Sequence, residues 1–329
     1  MGHGMKSAAW ASILSAAALA CLVSAAAGAA QWTPSERIVF VSHSSAGTGN
    51  DLMLREIADI WTKNKFVPTL ITVENVTGGR SEKARRYVAQ QNKGNAHMLL
   101  AYTPASLNQA ILGNSEYTFR RFTPLAMLAI DPVLLVTSAE MPYKSLKDLV
   151  EAARQKPKSV LQGGGPYGNS AAMAGQLLQD HAKVQFSYTP FKGGGEAVVA
   201  LLGKHVQFII ENPGEVEQHV KAGKMRALAA SDKLADFPDV PTFAEAGFPM
   251  HTLKQFRAVV APPGISTEVA QYYVGLLERM RATPQWKDYV KKNALVENWL
   301  PGAALAKQLE QEESVYRKLD EQMGLLKKP

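Results

Sequence analysis

The sequence predicts an α/β protein in which mostly parallel sheets are flanked by helices and the chain divides between two lobes. Three observations carry that reading. From Arg37 onward, short unbroken aliphatic runs alternate with stretches of helical period, as buried parallel strands do when crossover helices separate them. The 329 residues exceed what one hydrophobic core usually serves. Helix starts are marked at Ser145 with Asp148, Thr242 with Glu245, Ser266 with Glu268, and Thr283 ahead of Pro284, where a hydroxyl can accept the unpaired N–H groups of a first turn.

Taken in order, the chain opens with Lys6, an Ala/Leu/Val-rich stretch over 8–27 and the small residues Ala27-Gly28-Ala29-Ala30. This is the pattern of a cleaved export signal over residues 1–30, with a periplasmic mature chain beginning near Gln31. Cys21, the single cysteine, falls inside it, so the mature chain has no thiol for a disulfide, a nucleophile or an iron–sulfur site. Ala18-Leu19-Ala20-Cys21 matches a lipoprotein cleavage box only loosely. No later apolar run approaches the ~18 residues that span a bilayer.

Ile38 to Val41 reads as the first strand, followed by a Gly/Ser loop and a helix with Met53, Ile57 and Ile60 on one face. Leu70 to Val73 is the second, with its own glycine loop and a helix through Ala84, Tyr87 and Val88. Further strands are expected at 98–101, 133–136, 160–162, 186–189, 206–210, 227–230 and 258–261. A long C-terminal helix is expected over 303–325, where Leu305, Leu309, Tyr316, Leu319 and Met323 share a face.

Composition excludes several functions. With 46% apolar and 20% charged residues the chain is an ordinary globular one. The net charge of +7 is spread along the sequence, with no clustered stripe to track a nucleic acid. The histidines after residue 30 are isolated, with no HxH or HxxxH pair, so no metal site is expected.

Glycine loops carry the chemistry. Four follow strand candidates and precede helix candidates: 44–51, 77–80, 163–170 and 192–196. In open α/β sheets ligands bind at the carboxyl ends of the strands, where backbone N–H groups and helix N-termini face an anion. Main-chain amides of Ala46 to Gly49 and Gly164 to Gly168 are therefore expected to grip a carboxylate, with Thr48 and Ser170 adding hydroxyls and His43 beside them. Enzyme motifs fit poorly. Gly163-x-Gly165-x-x-Gly168 matches a dinucleotide fingerprint formally but lacks the acidic residue about 20 positions on. Gly168-Asn169-Ser170-Ala171-Ala172 falls one glycine short of a nucleophile elbow. An exported serine hydrolase using Ser170 remains the alternative.

The same residues carry a resemblance. Ile38-Val39-Phe40-Val41 followed by Ala46-Gly47-Thr48-Gly49-Asn50-Asp51-Leu52 resembles the first strand and PGGG(S/N/T)D loop of the extracytoplasmic receptors of tripartite tricarboxylate transporters, the TctC or Bug family. Glu74-Asn75-Val76-Thr77-Gly78-Gly79 is similar to its ENxPGxGG segment. The stretches 143–149, 188–194, 221–229 and 238–247 resemble its remaining blocks in order, so the likeness runs from about residue 35 to the C-terminus.

The resemblance implies a Venus-flytrap periplasmic binding protein. Lobes of residues 33–131 plus 255–329 and of 132–254 would close on a small organic acid and deliver it to membrane permease subunits, the receptor itself being a monomer without cofactor. The candidate ligand contacts are His43, Ser45, Ala46, Gly47, Thr48 and Asp51 from the first loop, and Gly164, Gly165, Gly168, Asn169 and Ser170 from the third. Phe191, Lys192 and Gly193 from the fourth loop, with Asn212 and Phe256, complete the set. Ala46 replaces the family loop's usual Pro and Thr48 its middle Gly, Gly164 and Gly165 stand where hydroxyl residues are frequent, Arg80 takes a glycine's place, and Phe256 stands near a common pocket Trp.

Overall fold

A computed structural model describes residues 32–326 apart from Arg80, Asn114, Pro166 and Lys254. The expected export signal over 1–30 and the Arg80 departure lie outside the described residues. The strands are β1 (Ile38–Ser42), β2 (Ile71–Asn75), β3 (Met98–Tyr102), β4 (Thr123–Asp131), β5 (Leu134–Ser138), β6 (Leu161–Gly164), β7 (Ser187–Pro190), β8 (Phe208–Glu211), β9 (Met225–Ala230), β10 (Gln255–Ala261) and β11 (Val296–Pro301). The helices are α1 (Gly49–Lys63), α2 (Glu82–Arg86, continuing as a π-helical turn through Gln91), α3 (Pro104–Leu112), α4 (Leu146–Gln155), α5 (Ser170–Ala182), α6 (Gly194–Leu202), α7 (Pro213–Lys221), α8 (Thr267–Arg281), α9 (Pro284–Lys292) and α10 (Ala303–Gln322).

Two sheets organise these elements. The six-stranded sheet has the order β11-β4-β10-β3-β1-β2 and the five-stranded sheet the order β7-β6-β8-β5-β9. One draws its strands from 38–131 and 255–301, the other from 134–230. Both are mixed where mostly parallel sheets were expected. β1 pairs in parallel with β2 and β3, and β6 with β7 and β8, whereas β4, β10 and β11 in one sheet and β5 and β9 in the other pair antiparallel. The classical βαβ part of each sheet thus carries the glycine loops at its carboxyl ends, and the antiparallel part holds the segments that pass from sheet to sheet.

β4 and β11 are absent from the sequence expectation. β4 runs straight into β5 with only Pro132 and Val133 between, so the apolar residues from Leu125 to Val136 read as one stretch while belonging to two sheets. β11 is a half-buried edge strand without alternation. Most cap signals hold. Ser145 and Asp148 form a reciprocal capping box at α4, Ser266 accepts from Val269 N–H, and Thr283 accepts from Trp286 N–H. Thr242 and Glu245 make the same reciprocal contacts, yet only a turn follows, because Gly247 takes a positive φ of 93° and ends it after one loop.

Met53, Ile57 and Ile60 bury the expected face of α1, with Trp61 beside them. The core around Leu100, Tyr102, Met127, Phe256 and Tyr316 seals the six-stranded sheet under α10. Separate clusters around Phe208 and Ile209 cover the two faces of the other sheet.

Candidate functional site

A cavity of about 820 Å³ opens at the carboxyl ends of the parallel strands of both sheets. Its wall takes His43, Ser44, Ser45 and Thr48 from the β1–α1 loop, Thr77, Gly78 and Ser81 from the loop after β2, and Ala105, Gln109 and Leu112 from α3. Tyr167, Gly168 and Asn169 come from the β6–α5 loop, and Leu325 from beyond α10.

The first loop is held from below. Asp51 is fully buried and accepts from Gly47 N–H at 2.8 Å, from Arg55 at 2.9 and 3.0 Å, and from Asn75 Nδ2 at 2.8 Å. Burial alone would push this carboxyl up, but the Arg55, Gly47 and Asn75 donors together hold it below its ordinary value. Asn75 Nδ2 also donates to Ser44 O, which pins the loop to the end of β2.

Above this brace lies a hydroxyl–imidazole cluster. Asn50 Nδ2 donates to His43 Nε2 at 2.8 Å, so Nε2 is the acceptor nitrogen, and Nδ1–H faces Ser44 Oγ at 3.1 Å. Burial, then the nearby Arg85 charge, lowers the His43 pKa to about 4, so the ring is neutral at physiological pH. Ser44 Oγ accepts from both His43 and Asn50 Nδ2, which leaves its own proton to donate into the cavity.

Arg257 links this loop to the strand that leaves the sheet. Its guanidinium donates to both oxygens of Asp131, at 2.8 and 2.5 Å, to Gly49 O at 2.9 Å and to Tyr289 OH at 2.9 Å. Asp131 is the last residue of β4. On the far side of that crossing Asn212 Nδ2 donates to Pro132 O and Ser231 Oγ accepts from Val133 N–H.

Of the sequence-expected contacts, the cavity brings together His43, Ser45, Thr48, Gly168 and Asn169. The others stand elsewhere. Ala46 and Gly47 form the exposed tip of the loop, and the Gly47 amide turns inward to Asp51, so neither faces the cavity, and Asp51 braces the loop from beneath it. Gly164 and Gly165 are buried because a Cβ would lie 2.5 Å from Tyr188 OH at the first and 2.4 Å from Asn169 Nδ2 at the second; side-chain packing explains these glycines. Ser170 is the first residue of α5, and the cap is Asn169, whose Oδ1 accepts from Ala172 N–H.

Phe191 packs against the second sheet's core, its N–H donating to Gly164 O. Lys192 is exposed and turns toward Glu196, Gly193 caps α6, and Asn212 holds Pro132 as above. Phe256 is buried in the first sheet's core and only borders a side recess of about 230 Å³ next to Arg257.

Sequence reasoning did not single out Ser44, Tyr167, Ser81, Gln109 or Leu325 as contacts. The first two lie within glycine loops it named; the rest come from the residue just before α2, from α3 and from the C-terminal turn, where no local pattern marks them. Among the described residues no cluster of histidine, cysteine and acidic side chains fits a metal ion, and no helix is long and apolar enough to cross a membrane.

Behind the second sheet's loops, Glu211 ends β8 against the first turn of α6, where a Cβ on Gly194 would lie 2.9 Å from its carboxyl. Burial, then the neighbouring Glu215 charge, pushes this carboxyl up to about 7. A raised carboxyl stabilises the fold below its unfolded pKa, and that contribution is lost as pH rises through about 7. Glu211→Gln is therefore expected to stabilise the chain by about 2 kcal/mol at pH 8 and by little at pH 4.5. Thermal unfolding of both chains across that range checks it, and a difference independent of pH would remove Glu211 as the cause.

Comparisons with known proteins agree with this architecture. The profile of the family described as tripartite tricarboxylate transporter family receptor matches residues 66–324. Protein BugT of Bordetella pertussis is 28% identical over 241 residues, 72% of this chain and 73% of that one. The solved structure of a TctC solute-binding protein from Polaromonas, without ligand, superposes with a TM-score of 0.80 at 22% identity, covering 88% of this chain and 99% of that one. An R. palustris protein solved with adipate superposes with a TM-score of 0.66 at 22% identity, covering 88% and 98%.

Proposed function

Because the chain belongs to the tripartite tricarboxylate transporter receptor family, a family of solute-binding proteins and not of enzymes, we propose that it captures a small organic acid in the cavity between its two sheets and hands it to a membrane permease. The observation that carries this is the meeting of two helix starts at one cavity. The loops that lead into α1 and α5, one from each sheet, both line it. The first-turn amides of a helix have no intrahelical partner and carry partial positive charge, so together they favour an anion. The spare Ser44 hydroxyl proton adds a side-chain donor, and neutral His43 fixes that hydroxyl without adding charge. Adipate in an R. palustris relative supports a carboxylate as the chemical class.

A ligand touching loops of both sheets binds a closed arrangement better than an open one, and by that difference shifts the chain toward closure. The closed surface is what a permease would read. Export to the periplasm by the 1–30 segment and action as a monomer belong to the same proposal. The hydrolase alternative is not retained. Among the described residues, Ser170 Oγ has no hydrogen bond to a histidine or carboxylate that could activate it, as a nucleophile requires.

Thermal unfolding against a panel of organic acids tests the proposal. A true ligand raises stability by about 2.7 kcal/mol at a hundredfold excess over Kd and is recovered chemically unchanged. Ser44→Ala should weaken that ligand about tenfold, the worth of one hydrogen bond to a charged group. Stabilisation by none of the acids, or turnover of any, overturns the reading.

A further inference from the structure

We propose that Ser81 is a specificity-determining contact whose hydroxyl, polarised by the buried guanidinium of Arg85, donates to a second oxygen acceptor on the bound organic acid. The assignment rests on the organic-acid reading and identifies the part of the ligand that lies away from the glycine-loop anion grip.

Ser81 has φ +70° and ψ −3°, a left-handed conformation that costs serine energy and glycine none. It is nonetheless a serine, 6% exposed, on the wall of the main cavity. Its Oγ accepts Arg85 Nη1–H at 2.5 Å. Arginine can only donate, so the single hydroxyl proton of Ser81 must go elsewhere, and no acceptor among the described residues takes it. The cavity is where an acceptor can come from.

Arg85 is 1% exposed. It also donates to Ser106 O at 3.0 Å and to the Glu82 carboxylate, while its Nε–H has no partner among the described residues. Glu82 accepts in turn from Ser115 Oγ. The guanidinium charge is therefore matched, and what reaches the cavity is a strengthened neutral donor rather than a net positive charge. A second recess of about 530 Å³, bordered by Gly79, Arg85 and Tyr117, shares Gln109 and Leu112 with the main cavity, so the Ser81–Arg85 pair stands where the two spaces join. Gln109 Oε1 is likewise buried without a partner there. A carboxylate, keto or hydroxyl oxygen at this point satisfies the donor, whereas an alkyl tail strands it and is discriminated against.

The test is calorimetric titration of the native chain and Ser81→Gly with dicarboxylates from succinate to adipate, each beside the monocarboxylate of equal length from butyrate to hexanoate. The native chain should prefer the diacid of a pair. Ser81→Gly should bind that diacid about tenfold more weakly while the monoacid changes by less than about twofold. Its ligand-free melting temperature should change little, because relief of the left-handed strain is offset by the loss of the serine acceptor of Arg85 Nη1–H. Equal losses on both members of a pair, or no loss on the diacid, overturn the proposal. A native chain that binds the two equally well overturns it while leaving the organic-acid reading standing. A native chain that binds neither series overturns that reading and this assignment with it.

Discussion

Asp51→Ala is expected to lower the unfolding free energy by about 3 kcal/mol and to remove measurable ligand capture. The carboxylate is wholly buried and takes four donated hydrogen bonds, from Gly47, Arg55 twice and Asn75. Arg55 is half exposed and can turn to water when its partner goes, which keeps the cost below that of stranding a fully buried cation. The Gly47 amide and Asn75 lose their acceptor, and the tie between the β1–α1 loop and the end of β2 is left to the Asn75 Nδ2–Ser44 O hydrogen bond alone. Chemical denaturation measures the first loss and calorimetry with a ligand found in the panel the second. Asp51→Asn, which keeps the shape and one acceptor oxygen, should fall between. A loss below about 1 kcal/mol with affinity intact would show that the loop holds its shape without this carboxylate.

Arg257→Ala is expected to cost about 3 kcal/mol as well, for a different reason. It strands the Asp131 carboxylate, the Gly49 carbonyl and the Tyr289 hydroxyl at once. These three belong to the end of β4, the start of α1 and the helix α9, so the guanidinium fixes the β1–α1 loop relative to the point where the chain leaves one sheet for the other. Arg257→Lys retains the charge but cannot fork to three partners and should recover only part of the loss. Affinity should fall together with stability in Arg257→Ala. Stability lost with affinity unchanged would mean that the cavity is shaped independently of the crossing segment.

Much of the fold was legible because its signals are local. Unbroken runs such as Ile38 to Val41 and Met98 to Ala101 read as buried strands, and Ser145 with Asp148 marks a helix start within four residues, although the same pattern at Thr242 and Glu245 closes only a turn. The mixed sheets were not legible, since the direction in which β4 or β10 enters a sheet depends on partners more than a hundred residues away. The site divides in the same way. That the β1–α1 loop comes to a cavity was readable from Gly47, Gly49 and the helix that follows. Which amides face outward was not, because Asp51 claims the Gly47 amide through a contact that no spacing reveals. Gly164 and Gly165 were read as amide donors to a carboxylate, and nothing in the sequence shows that the space beside their Cα atoms is taken by Tyr188 and Asn169. Ser81 left no trace in the sequence, since a serine in a polar loop looks ordinary until its backbone conformation and the buried Arg85 are seen.

Helix α10 is closed just past its end by Gly324, whose φ of +67° lets its own N–H reach Glu321 O and the Leu325 N–H reach Asp320 O, a closing turn that swings Leu325 back over the chain. The leucine comes to rest on the cavity wall, so close to Gly168 that a Cβ there would lie 2.7 Å from Leu325 Cδ1. Removal of Leu325, harmless where a closing turn only covers a core, here takes a piece out of the cavity wall. The same geometry argues for placing affinity tags, fluorophores and fusion partners away from Leu325, since anything that displaces the closing turn reshapes the cavity.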